Sequence, residues 1–375
     1  MYDQAVELIW LGPILDCSGY ASAARGYLRA CEAVGITVQA RDRSRSFNLK
    51  NKGMDEAILS MYKRLSQNRV PEDSPTVQHQ VPDVFFRDER SRRPIGYTIF
   101  EMTSIPKSWA NHCNQKVRTI WTGSEYSRQA FLNGGVSIPV EILPHAIDLE
   151  TYSPDGPKWK IENRRNFMFL SCFDFTERKA WRELLRAWWH AFGSKDDVCL
   201  VLKVYFGDFS DEARKDIVRR IAKYRLDLGI RDWAPILIYG HDVRECDMPS
   251  LYRTADCYVG ISREGFGLSY SFSMACGVPC IGPQVGGTRQ YMTPENSWLV
   301  DYVGDEPIAS ELSRMFPSFE GLSWAVHSWE HLSFLMRHAV ENESERKTKS
   351  QAALRDVRGN LSHEKIGNRI RELLA

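Results

Sequence analysis

Glu264 is followed by Gly265-Phe266-Gly267-Leu268, between an apolar run at Cys257–Ile261 and another at Val278–Gly282. These residue types at this spacing suit an anion site beside a carboxylate. The first run reads as a strand. Gly265 and Gly267 permit a tight turn and close backbone approach to a ligand. Ser269 to Cys276 reads as a short helix, with Gly277 just past its end. A glycine turn feeding a helix start presents unpaired N–H groups at the positive end of the helix dipole. Gly265, Phe266, Gly267 and Leu268 are therefore candidate phosphate-binding residues. Glu264 ends the strand, where its carboxylate can accept hydrogen bonds from sugar hydroxyls. Phosphate on the amides and sugar on the carboxylate describe a sugar nucleotide. A strand, glycine turn and helix also occur in many other α/β proteins, so this segment alone does not settle the ligand.

Such a turn needs a scaffold, and the rest of the chain supplies two sets of strand candidates. The first holds Val6–Leu11, Ile95–Phe100, Arg118–Thr122 and Val140–Leu143. The second holds Phe167–Cys172, Val198–Val204, Ile236–Tyr239, Cys257–Ile261 and Val278–Gly282. They are short and often apolar throughout, as expected for parallel strands covered on both faces. Amphipathic segments alternate with them. Asp211–Leu228 repeats Ile217, Ile221, Tyr224 and Leu228 at helical spacing, with Ser210 as N-cap and Gly229 as stop. Trp181, Leu184, Leu185, Trp188, Trp189 and Phe192 form a second stripe, expected to be core rather than a ligand box. Ser153-Pro154-Asp155-Gly156-Pro157 separates the two sets and reads as a linker. The expected architecture is α/β: two Rossmann-like, doubly wound domains, residues 1–155 and 156–354, facing across a cleft. The helical tail at about 355–375 is expected to pack back on the first domain. The polar region Asp42–Arg93, with Arg87, Arg90, Arg92 and Arg93, reads as a solvated loop or as an acceptor or lipid-headgroup surface.

Bulk properties narrow the functional classes. A chain of 375 residues with 43% apolar and 26% charged residues is ordinary for a soluble protein of two domains. A net charge of +1 offers no field for nucleic acid. The nine cysteines show neither CxxC pairs nor metal-ligand spacing; Cys172, Cys199, Cys257 and Cys280 read as buried thiols of a reducing compartment. Met1–Leu11 lacks the pattern of a signal peptide, and no run is long enough to span a membrane. A cytoplasmic location is expected, with peripheral membrane contact left open.

The run EGFGLSYSFSMACGVPCIG resembles the nucleotide-sugar motif of glycosyltransferase family 4, the retaining enzymes of GT-B fold. The match lies at Glu264 to Leu268, at Met274 to Gly277 and at Pro279. Further stretches are similar to family elements. Ser18-Gly19-Tyr20 with Arg25-Gly26-Tyr27-Leu28 resembles the first glycine loop and its helix. Ser124-Glu125-Tyr126-Ser127 and Pro144-His145-Ala146-Ile147-Asp148 resemble first-domain segments. Arg178-Lys179-Ala180 resembles a Lys-Gly element, and Asp247–Asp256 the helix before the motif strand. The resemblance implies transfer of a sugar from a nucleotide-diphosphate sugar, acting as co-substrate, to a glycan, lipid or protein, with neither cofactor nor metal; no Asp-x-Asp motif is present. Glu264 would orient the donor sugar, and Arg178 and Lys179 would stabilise the leaving phosphate with the amides of Gly267 and Leu268. Ser18 and Gly19 would face the phosphates, and Asp242 and Val243 would border the base. Glu101 and His145 would line the acceptor side.

Two positions depart from the pattern. The second glutamate of the family's E-x7-E motif falls at Phe272, and a phenylalanine cannot accept hydrogen bonds from the donor ribose. The family's phosphate-binding arginine, five residues before the lysine, falls at Asp174. Phe272 keeps open an alternative, a catalytically silent relative serving as a binding or scaffold subunit. A further GT-B enzyme, such as an epimerase or phosphorylase, is disfavoured by the complete Glu-Gly-Phe-Gly-Leu run.

Overall fold

In the computed structural model, residues 6–44, 52–308 and 310–375 are described, without the side chains of residues 310 and 311. The strand candidates pair as expected of apolar runs covered on both faces. In the first domain, β1 (Glu7–Gly12), β2 (Thr37–Asp42), β3 (Thr76–His79), β4 (Pro94–Tyr97), β5 (Thr119–Thr122) and β6 (Val140–Ile142) form a parallel sheet in the order β2-β1-β3-β4-β5-β6. Helices α1 (Gly19–Ala33), α2 (Glu56–Ser66), α3 (Lys107–Lys116) and α4 (Glu125–Asn133) connect them.

The second domain repeats the plan. Strands β7 (Phe167–Asp174), β8 (Val198–Tyr205), β9 (Ile236–Tyr239), β10 (Cys257–Val259), β11 (Cys280–Pro283) and β12 (Trp298–Val300) lie in the order β12-β11-β10-β7-β8-β9, again parallel. They alternate with α5 (Trp181–Ala191), α6 (Asp211–Asp227), α7 (Met248–Thr254) and α8 (Leu268–Ala275). The tryptophan stripe of α5 is core: Trp181 and Trp188 are 2% and 0% exposed and pack with Phe169, Leu200 and Ile217. Ser210 caps α6 by accepting from the Ala213 N–H at 3.2 Å.

The region Asp42–Arg93 corrects the reading of a solvated loop, apart from residues 45–51, which lie outside the described residues. It holds α2 and the sheet strand β3. The strand is missed by hydrophobic pattern because it is polar yet buried: Thr76, Gln78 and His79 are each at most 1% exposed. Gln78 escapes the cost of burying an amide by pairing with one backbone unit. Its Nε2 donates to the Phe86 carbonyl at 2.8 Å, and its Oε1 accepts from the Phe86 N–H at 3.0 Å.

Three further elements tie the halves together. The linker is pinned by Arg253, which donates to the Pro157 and Ser153 carbonyls at 2.9 and 3.1 Å. After β12 an antiparallel hairpin, β13 (Tyr302–Pro307) and β14 (Ser323–His327), carries α9 (Ser310–Met315) between its strands. It reaches the first domain, where Ile308 and Trp324 join a core with Phe100, Met102, Ile105 and Trp109. The Thr103 N–H donates to the Ser323 carbonyl at 3.0 Å. Finally α10 (Trp329–Glu341) and α11 (Glu343–Asn360) lead to α12 (His363–Leu374). Ile366, Ile370 and Leu373 of α12 join the first-domain core with Ala24, Tyr27 and Leu28 of α1.

Candidate functional site

The carboxyl ends of the two sheets face each other across a cavity of about 420 Å³ lined by both domains. β7 sits between β10 and β8 in its sheet, and the crevice opens where the strand order reverses around it. β7 delivers Asp174, β8 delivers Lys203 and Tyr205, and β10 leads to Glu264, all on the cavity wall. From the first domain, the β1–α1 connection supplies Cys17 and Ser18, the start of α1 supplies Gly19, and the segment after β4 supplies Ile99 and Glu101.

Helix α8 starts without a side-chain cap. Its N-cap is Gly267, at φ 90°, a left-handed conformation that glycine adopts without strain. Gly267, Leu268 and Ser269 line the cavity at that helix start, so its first amides are available to an anion. Gly265 and Phe266 do not line the cavity. They form the seam between the domains. The Gly265 carbonyl accepts from Ser124 Oγ at 2.6 Å and Ser127 Oγ at 3.3 Å, and a Cβ on Gly265 would stand 2.8 Å from Ile99 Cβ. Phe266 is fully buried and meets His145 with ring centroids 4.4 Å apart.

The charged centre is a cluster of five side chains. Lys179 Nζ lies 2.7 Å from Glu264 Oε1 and 3.8 Å from Asp174 Oδ1. Arg178 Nη1 lies 3.0 Å from Glu101 Oε1 and 3.5 Å from Glu264 Oε2, and its Nη2 lies 3.9 Å from Asp174 Oδ1. The turn that presents both cations ends at Ala180, whose φ of 53° is left-handed, so the strand-to-helix junction is held in a strained shape. Burial raises the Glu101 carboxyl above its ordinary value; Arg178 pulls it down, while Glu264 pushes it up. For Asp174 burial is opposed by Lys179 and Arg178, which leave its carboxyl below the usual range. Burial also lowers the ammonium of Lys203, whose Nζ donates to the His241 carbonyl at 2.7 Å.

The other candidates sit around this centre. Ser18 Oγ caps α1 by accepting from the Ala21 N–H at 3.1 Å, with Gly19 next to it on the cavity wall. Asp242 and Val243 also line the cavity, and Asp242 Oδ2 accepts from the Gly53 N–H of the first domain at 3.2 Å. His145 lines it too; its Nδ1 lies 2.8 Å from Tyr27 Oη and 3.1 Å from Tyr97 Oη, and burial lowers its pKa to about 3. Phe272 stacks on Tyr152, with centroids 4.0 Å apart and planes 9° from parallel. Ser271 and Ser273, its neighbours on α8, are fully buried and off the cavity wall. Tyr152, Tyr205, Phe209 and Glu245 also line the cleft and carry no sequence signal of their own. Glu245 is ion-paired with buried Arg25 across the domain boundary.

The basic cluster lies elsewhere. Arg92 and Arg93 precede β4 and Arg118 precedes β5, at the amino ends of strands whose carboxyl ends face the cleft. They line a separate hollow with Glu141 and Glu372. Among the described residues no helix is long and apolar enough to cross a membrane, and no group of three His, Cys, Asp or Glu side chains is placed to hold a metal ion.

Residues 164–317 match the family model described as "Glycosyl transferases group 1". The chain superposes on HepE of Anabaena in complex with UDP-glucose, at a TM-score of 0.65 and 14% identity, covering 98% of this chain and 99% of that one. The trehalose-6-phosphate synthase OtsA gives a TM-score of 0.65 at 12% identity, with 98% of each chain covered. The fold is GT-B. A curated relative, the GDP-mannose-dependent monoacylated alpha-(1-6)-phosphatidylinositol monomannoside mannosyltransferase of Corynebacterium glutamicum, is 24% identical over 186 residues. That match covers 48% of this chain and 47% of the relative, so the alignment spans about half of each. The segment matching the family model contains β7 to β12 and hence Asp174, Arg178, Lys179, Lys203 and Glu264.

Proposed function

We propose that this protein is a retaining glycosyltransferase that moves a sugar from a nucleoside-diphosphate sugar to a hydroxyl of a glycan, lipid or protein. The observation that carries this reading is the convergence of Glu264, Arg178 and Lys179 on an uncapped helix start, inside a cleft between two Rossmann-like domains. HepE was crystallised with UDP-glucose and the Corynebacterium enzyme is named GDP-mannose-dependent. UDP-glucose and GDP-mannose are both nucleoside-diphosphate hexoses, which supports a donor of that class.

In the proposed reaction the bond between the sugar's anomeric carbon and the phosphate oxygen breaks, and its electron pair leaves with the diphosphate. Arg178, Lys179 and the first amides of α8 stabilise that charge. Glu264 accepts hydrogen bonds from the sugar's hydroxyls. The acceptor oxygen bonds to the same face of the anomeric carbon, and its proton passes to the departing phosphate. No protein nucleophile takes part. His145 is neutral at physiological pH, so toward either substrate it acts as an uncharged hydrogen-bonding group.

The test is calorimetric titration of the purified protein with UDP, GDP, dTDP and their common sugar forms. One nucleotide should bind at micromolar concentration, and Lys179→Ala should weaken it about tenfold, as expected from losing one charge-assisted hydrogen bond. If every nucleotide fails at millimolar concentration, the transferase reading falls and a non-catalytic binding subunit takes its place.

A further inference from the structure

The two cations assigned to the phosphate are already engaged. Arg178 and Lys179 face Glu101, Asp174 and Glu264, so the centre carries one more carboxylate than cations. Arg178 Nη1 also donates to the Arg263 carbonyl at 2.8 Å. A diphosphate entering this cluster meets occupied donors and a repulsive net charge, in a crevice that screens charge less than bulk water does. It gains those two cations only if a carboxylate gives way.

The three carboxylates are not equally fixed. Glu264 is held by Lys179 at 2.7 Å, and its carbonyl accepts from the Gly287 N–H at 2.7 Å. Asp174 ends β7 in register with Tyr205 of β8 and accepts from Thr176 Oγ1 at 3.3 Å. Both belong to the domain that carries Arg178 and Lys179. Glu101 belongs to the other domain, lies beyond the end of β4, and has Arg178 as its one ion-pair partner among the described residues.

We propose that Glu101 competes with the donor's diphosphate for Arg178. The ion pair across the cleft is a placeholder, and the donor binds by taking the guanidinium from it. This inference rests on the reading of the cleft as a nucleotide-sugar site. The exchange sets an order. Until the donor is in place, Glu101 is tied to Arg178. Afterwards its carboxylate is free, on the first-domain wall, to accept a hydrogen bond from the acceptor hydroxyl and position it. The carboxyl of Glu101, raised by burial first and by Glu264 and Asp174 after it, fits this placement.

Calorimetric titration of wild type, Glu101→Gln, Arg178→Ala and the double variant tests the competition, using whichever of UDP or GDP the wild type binds. Glu101→Gln should tighten that nucleotide about fivefold, the order expected of one partly exposed charge contact. In the Arg178→Ala background the gain should shrink to about twofold or less, because nothing is left to compete for. Glu101→Asp, which shortens the carboxylate's reach to Arg178, should shift affinity the same way and serves if the glutamine variant does not fold. Unchanged or weaker nucleotide binding by Glu101→Gln and Glu101→Asp, or an undiminished gain without Arg178, overturns the proposal. A wild type that binds neither nucleotide instead overturns the reading of the cleft.

Discussion

Phe272 illustrates how one side chain can redirect a pocket. Its ring lies flat on Tyr152, and the pair forms an apolar wall where the family resemblance calls for a carboxylate. Phe272→Glu should cost about 1 kcal/mol of stability through the lost stack, read from the urea midpoint. It should tighten nucleotide binding about tenfold if the ribose reaches this wall, since a hydrogen bond to a charged group contributes about 1.5–3 kcal/mol. Unchanged affinity would mean that the resemblance stops short of the ribose. His145 makes a different statement, about pH. Its pKa is about 3 in the folded protein, against about 6.5 in an unfolded chain. The native state therefore binds fewer protons than the unfolded state between those values, and the stability arising from this residue is lost as pH falls from about 6.5 toward 3. His327, lowered to about 4 by burial, acts in the same sense. The urea midpoint should drop between pH 7 and pH 4.5, and the drop should be shallower in His145→Gln. Equal slopes in the two proteins would remove His145 from that account.

Among the elements, the glycine turn before α8 does two jobs that its sequence could not separate. Gly267 opens the helix toward the cavity, whereas Gly265 lets the domains touch. The new Cβ in Gly265→Ala would be 2.8 Å from Ile99 Cβ and 3.0 Å from the Phe100 nitrogen. The variant should keep both domain cores, widen the cleft and lower turnover; an unchanged radius of gyration by small-angle scattering would count against this. Legibility followed a simple physical line. Apolar strands, capped helices and the Glu264 segment were readable because their information is local. β3 was hidden because it is polar yet buried, and its Gln78 is satisfied by a loop several residues away, through Phe86. The bridging hairpin was hidden because its role depends on what it touches: Arg263, beside Glu264, stacks its guanidinium on Trp324 at 4.7 Å and pairs with Glu183 and Glu306. Lys203 and Asp174 gave residue types but no partners, and only the fold brought them to the cleft.

Taken as a whole, the molecule is two sheets whose cleft is crossed by several direct ties: Arg25 with Glu245, Gly53 with Asp242, Ser124 with Gly265, Thr103 with Ser323, and Glu101 with Arg178. The hairpin tie is apolar as well as polar. Trp324→Ala should therefore lower stability by about 3–5 kcal/mol, the cost of emptying a large buried aromatic site. Thermal unfolding followed by tryptophan fluorescence would show it; a loss below about 1 kcal/mol would mean the hairpin is peripheral. The helix at the other end of the chain has a consequence for biosynthesis. Ile366, Ile370 and Leu373 complete a core begun by Leu8, Trp10 and Leu28, and Gly367 is packed so closely that a Cβ would collide with the Ala30 carbonyl oxygen. A ribosome delivers residues in order, so of these two domains the one that leaves the exit tunnel earlier is finished later. Its apolar groove on α1 stays open through the synthesis of the whole second domain, exposed to any chaperone or neighbouring nascent chain until α12 arrives to close it.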